Sequence, residues 1–131
     1  MSQENVEAHK RAIEALNRRD FETFRALGHD EDIEVSTVLT VEGTYRGYAG
    51  VRRWWDDLLG TFPDWKVEVV ELRDYGDKTV GVLQAAGRGA SGHTPVGTSF
   101  WQVVHWRDGR ATRWASFGTE REALEAVGLS E

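Results

Sequence analysis

From Trp65 to Phe117 the apolar residues of this chain recur with a period of two, in four runs. Before Pro63 they recur mostly at helical spacing. That switch of period most constrains the fold, because a pattern written for strands cannot bury its apolar side as a helix, nor the reverse. The four runs are Trp65 to Leu72, Thr79 to Arg88, Thr98 to Trp106 and Arg110 to Phe117. Arg107-Asp108-Gly109-Arg110 joins the last two, and an Asp-Gly pair between alternating runs predicts a two-residue hairpin turn.

Helices are predicted on either side of this meander. Val6, Ala12, Ile13 and Leu16 form one stripe, which Asn17-Arg18-Arg19-Asp20 interrupts. Asp20 is placed to cap a short second helix through the backbone N–H of Thr23, with Phe21, Phe24 and Leu27 as its apolar side and Gly28 as its end. Ile33 to Val41 alternates as a half-buried strand. Gly50 to Leu59 carries Val51, Trp54, Trp55, Leu58 and Leu59 as a third, amphipathic helix, with Gly60 as its C-terminal cap ahead of Phe62-Pro63-Asp64. Thr119 and Glu122 have capping-box spacing for a last helix that Gly128 ends. Helices segregated from antiparallel strands make one α+β domain over residues 1–131, a curved sheet covered by the N-terminal helices.

Composition narrows the partners. The 131 residues carry 16 Lys+Arg against 22 Asp+Glu, a net charge of −6, which speaks against nucleic acid, whose phosphates demand a basic face. No cysteine is present, so disulfides and thiolate chemistry are excluded. No run is long and apolar enough to span a membrane, and the polar N-terminus has no signal core, so a soluble cytoplasmic protein is expected. Six tryptophans in so short a chain suggest a pocket to line as well as a core to fill.

Several segments match a known family in order along the chain. They are Thr44-Tyr45-Arg46-Gly47 leading into Gly50-Val51-Arg52-Arg53-Trp54, Phe62-Pro63-Asp64 before a strand, and the Gly87-Arg88-Gly89…Ser91-Gly92 loop. Arg107-Asp108-Gly109-Arg110 and the ending Arg121 to Leu129 complete the set. Together they resemble the SnoaL-like, polyketide-cyclase-like branch of the nuclear-transport-factor-2-like superfamily. The resemblance implies a cone-shaped curved sheet enclosing a deep pocket, usually in a homodimer. It implies no single function, since the scaffold hosts cyclases, isomerases, epoxide hydrolases, dehydratases and binders.

A two-residue turn at Asp108-Gly109 pairs Trp106 with Ala111, His105 with Thr112, Val103 with Trp114 and Trp101 with Ser116. One face of the hairpin is then Trp101, Val103, His105, Thr112, Trp114 and Ser116, and the other includes Phe100, Gln102, Val104, Trp106 and Phe117. Resemblance to the epoxide-hydrolase relatives turns the Trp114/Ser116 face inward; a one-residue bulge would exchange the faces. The expected ligand-binding set is Trp54, Trp55, Leu58, Phe62, Gln84, Arg88, Trp101, Val103, Trp114 and Ser116. The resemblance also places Ser116 where those relatives carry a catalytic aspartate, and Gln84 and Ala86 where they carry an arginine and a second aspartate. Epoxide hydrolysis is therefore not expected.

His105 is the candidate catalytic residue, because an unperturbed imidazole titrates near physiological pH; the alternative is an idle histidine at the rim. The acidic run beside His29 fits no defined metal loop, and no metal or cofactor is expected. Asp56 and Asp57 are expected on the wet side of the third helix, the alternative being that one of them turns toward the cavity mouth, and His93 in a glycine-rich loop. Three functions compete. The first is acid/base cyclisation, isomerisation or dehydration of a hydrophobic, ring-containing metabolite, and the second is non-catalytic binding of such a small hydrophobic molecule. The third is a dimeric interaction module using Phe100, Gln102, Val104, Trp106 and Phe117.

Overall fold

The structure, a computed structural model, describes residues 2–26, 29–36, 44–86 and 99–128. Its elements are α1 (Ser2–Asn17), α2 (Phe21–Ala26), β1 (His29–Ser36), β2 (Thr44–Arg46), α3 (Gly47–Thr61), β3 (Lys66–Asp74), β4 (Lys78–Ala86), β5 (Ser99–Arg107), β6 (Arg110–Phe117) and α4 (Glu120–Ala126). The strands form one curved, unclosed sheet in the order β2-β1-β6-β5-β4-β3. Every neighbouring pair is antiparallel except β1 and β6, which run parallel, so the sheet is mixed and the all-antiparallel expectation is corrected. The α+β cone expected from the sequence is otherwise what the chain forms.

Local chemistry explains most boundaries. The backbone N–H of Thr23 donates to the Asp20 carboxylate at 3.1 Å, capping α2, and hydrogen bonds from the Thr23 side chain and then its backbone hold the Asp20 pKa below its ordinary value. The Thr119 hydroxyl accepts from the Glu122 N–H at 3.2 Å, the N-cap expected from the spacing. It donates to the Glu122 carboxylate at 3.0 Å, so that carboxylate meets the hydroxyl where a full capping box would have it meet the Thr119 N–H. Gly60 does not end α3. The helix runs on to Thr61, and the Phe62 N–H bonds the Leu58 carbonyl, because Pro63 rather than a left-handed glycine stops it. The helix also begins at Gly47, three residues before the predicted start. The His29 to Asp32 segment opens β1, four residues before the predicted strand start at Ile33. Leu27, Gly28, the 37–43 segment, Arg88 and His93 lie outside the described residues.

Two bulges shape the sheet. In β3 the pairing shifts between Val69 and Glu71, leaving Val70 unopposed and 61% exposed. In β6 it shifts at Thr112: Trp106 faces Ala111 as the two-residue turn requires, but His105 then faces Arg113. The turn itself has the expected geometry, with Asp108 at φ 53° and Gly109 at φ 79°.

These registers give two apolar clusters on opposite faces. On one, α1, α2 and α3 bring Ala12, Ile13, Leu16, Phe24, Trp54, Trp55 and Leu58 against Leu83, Ala85, Phe100, Val104, Trp106, Ala111 and Trp114. On the other, α4 sets Ala123 on Val80 and Val103, flanked by Tyr75, Trp101 and Phe117. Phe24 is the hub of the first, with centroid distances of 5.6 Å to Trp54, 5.2 Å to Trp55 and 5.6 Å to Trp114. Such pairs each add about 0.5–1.5 kcal/mol beyond the area they bury.

Candidate functional site

Helix α1 carries the site's first residue. Asn5, His9, Ala12, Ile13 and Leu16 recur at i, i+4, i+7, i+8 and i+11, so the apolar stripe that packs α1 on the sheet contains an imidazole. His9 is fully buried. Gly81 in β4 makes room for it: a Cβ there would lie 3.4 Å from His9 Cε1 and 3.3 Å from both Leu72 and Leu83.

Both imidazole nitrogens are engaged. Nε2 is 2.9 Å from Oε1 of Gln102, and Nδ1 is 2.8 Å from Oγ1 of Thr79, which also accepts from the Trp106 indole N–H at 2.9 Å. An amide oxygen can only accept, so with this Gln102 rotamer the ring proton sits on Nε2 and Nδ1 accepts from the Thr79 hydroxyl. Donation then runs in one direction, from Trp106 to Thr79 to His9 to Gln102. The arrangement suits a neutral ring, since a proton on Nδ1 would displace the Thr79 hydroxyl proton from its acceptor. Burial accordingly pushes the His9 pKa from 6.5 down to about 4, against the raising effect of the Gln102 hydrogen bond.

Around this relay the wall is mostly apolar, with the Trp114 and His9 rings in a T-shaped contact at 5.3 Å. The register places Ser116, half-buried, opposite Gln102. No carboxylate is among the buried polar side chains described, which are Asn5, His9, Thr79 and Gln102. At the far end of the cluster the Trp65 indole N–H is buried with no hydrogen-bond acceptor among the described residues.

The structure divides the residues expected from sequence. Trp54, Trp55, Leu58, Phe62 and Trp114 meet on the helix-covered face, and the register adds Ser116. Trp101, Val103 and His105 stand on the opposite face, where α4 packs, and Gln84 is exposed on that side too. The Thr112 bulge is the reason: it keeps Trp114 and Ser116 inward while turning their expected companions outward. His105 lies opposite Lys78 and Arg113, and half-burial followed by those two charges lowers its pKa. Phe100, Gln102, Val104 and Trp106, read as a possible outer interface, are buried beneath the helices instead. Asp57 is exposed and accepts from the Tyr45 hydroxyl at 2.7 Å, while exposed Asp56 pairs with Arg52 at 3.3 Å. Among the described residues no group of three or more His, Cys, Asp or Glu could hold a metal, and no helix is long and apolar enough to cross a membrane.

The sequence reading missed His9, Thr79, Gln102 and Trp106. His9 was within reach, since it falls on the α1 stripe. The other three depend on β-strand register.

A cleft of about 610 Å³ opens nearby, between α1, α2, the start of α3 and the β5–β6 turn. Asn5, one helical turn before His9, forms part of its wall.

The fold recurs among solved structures. Bal32a, from a soil-derived mobile gene cassette, superposes with a TM-score of 0.80 at 16% identity, covering 95% of this chain and 96% of its own. A candidate polyketide cyclase from Sinorhizobium meliloti gives 0.70 at 19% identity over 84% and 93%. A candidate ketosteroid isomerase from Kribbella flavida gives 0.72 at 22% identity over 91% and 80%. No curated protein matches in sequence. The model of the SnoaL-like domain matches residues 9–114, from the site histidine to the tryptophan that meets its edge, and the chain belongs to that family, with the nuclear-transport-factor-2-like fold.

Proposed function

We propose that this protein takes a small, hydrophobic, ring-containing molecule against the helix-covered face of its sheet, with His9 as the polar group nearest the ligand. One observation carries the reading: a single neutral imidazole, held by a one-way hydrogen-bond relay, stands against Trp114 in a wall that is otherwise mostly apolar. Such a wall with few placed polar groups is the usual make-up of a small-molecule site. The family and its polyketide-cyclase and ketosteroid-isomerase neighbours support a ring-bearing ligand.

The chemistry open to this site is narrow. A neutral imidazole can polarise a ligand carbonyl through its N–H, as an acid/base isomerase, cyclase or dehydratase requires. Two observations favour binding without turnover: both ring nitrogens are occupied by the chain's own groups, and no described carboxylate is buried on this face to hold or take a proton. His105, on the α4 face, is the rival proton carrier.

Tryptophan fluorescence titrated with 1,4-naphthoquinone tests the reading, with saturable quenching expected. His9→Gln, checked for folding by its melting curve, should weaken that binding about tenfold, the worth of a buried hydrogen bond. If His9→Gln does not fold, Trp114→Phe takes its place and should halve the quenching amplitude or more. Quenching that is absent, or lost in His105→Ala and kept in His9→Gln, sinks the reading. The homodimer implied by the family likeness is part of this proposal, and sedimentation showing only monomer at micromolar concentration would remove it.

A further inference from the structure

Several arginines on this surface have carboxylate partners. Arg18 lies 3.7 Å from Asp20, Arg46 3.0 Å from Glu34, Arg52 3.3 Å from Asp56 and Arg73 2.8 Å from Glu120. Arg11, Arg25 and Arg110 differ. Among the described residues none of them has a carboxylate at salt-bridge distance, and all three line the 610 Å³ cleft. They come from α1, α2 and β6, so no repeat within one element accounts for their meeting. Glu4 and Asp108 share the wall, so the described lining residues carry one positive charge in excess, in a chain whose net charge is −6.

The cleft wall also carries Tyr48 and Ala8. The Arg25 guanidinium lies 4.7 Å from the centre of the Tyr48 ring, a contact made through its charge that occupies none of its N–H donors. Tyr48 and Ala8 are half-buried and Asn5 is 8% exposed, so the cleft has a floor. Its volume falls within the roughly 300–1,000 Å³ of small-molecule sites.

We infer that this cleft binds a small planar aromatic carboxylate, its anionic end held by the guanidinium groups of Arg11, Arg25 and Arg110 and its ring laid against Tyr48 and Ala8. Guanidinium forks match carboxylate geometry, and an anion relieves the mutual repulsion of three cations that share one wall. The inference does not rest on the ring-binding role of His9, which projects from the buried side of α1 and is untouched by the variants that test it.

Calorimetric titration with 2-naphthoate, and with the neutral 2-naphthalenemethanol as comparison, decides it. One saturable site is expected for the acid, weakened by added salt, with the alcohol at least about tenfold weaker. Arg25→Gln and Arg110→Gln should each weaken the acid about tenfold, the scale of a charge-assisted hydrogen bond. Asp108→Asn should tighten it several-fold by removing a competing negative charge, and asparagine tolerates the left-handed backbone at φ 53°. That gain is of opposite sign to anything a loss of fold produces. Equal affinity for acid and alcohol, affinity unchanged in the Arg25→Gln/Arg110→Gln double variant, or no saturable binding at millimolar naphthoate would each overturn the inference.

Discussion

Two glycines show how differently the same residue is used. Gly81 lies under the His9 ring, where an added methyl meets three side chains at 3.3–3.4 Å. Gly60 lies in the last turn of α3 with nothing among the described residues within 4 Å of such a methyl. Gly81→Ala should therefore lower stability by about 1–3 kcal/mol through overpacking, and should disturb His9 first. Gly60→Ala should raise stability by about 0.5–1 kcal/mol, because alanine loses less backbone freedom in a helix. Urea denaturation of the two variants checks the opposite signs, and equal shifts would show that the close packing around His9 is not tight.

At the scale of elements, α1 is fastened to β3 by one amide. The Asn17 side chain donates to the Val67 carbonyl at 2.8 Å and accepts from the Val67 N–H at 2.9 Å, filling the place of a neighbouring strand. Next to it, the Arg19 guanidinium donates to the carbonyls of Pro63 and Trp65. Asn17→Ala leaves the Val67 groups without those partners and should cost about 1–3 kcal/mol, read by denaturant midpoint. Hydrogen exchange should quicken at the Val67 amide before it does at the β5–β6 ladder. Elements like α1 and the β5–β6 turn were legible in the sequence because period and capping are local properties. The sides of the strands were not, because the bulge at Thr112 is one residue that no local composition announces. That single residue sent His105 and Trp101 to the α4 face and put Gln102 and Trp106 beneath α1. The α1 stripe, in contrast, already held Asn5 and His9 at the spacing that buries them.

For the molecule as a whole, the buried imidazole ties stability to pH. His9 has a pKa near 4 when folded and about 6.5 when exposed in the unfolded chain, so the unfolded state binds its proton first as pH falls. The stabilisation is complete above pH 6.5 and is lost between there and pH 4, on the order of 3 kcal/mol in all. Melting temperature should fall across that window, and His9→Gln should flatten the fall. An imidazole resonance for His9 that titrates near 6.5 in the folded protein would contradict this account.

The parallel pairing of β1 with β6 has a consequence for how the chain reaches this state. Val35 finds its neighbour at Trp114, nearly the whole meander later, so the sheet cannot join its two halves until the last strand exists. Closing so long a loop before any contact across it forms slows folding relative to a chain of local hairpins. On a ribosome, β1 and β2 would leave the exit tunnel with one edge unsatisfied, dependent on α3 until β6 arrives.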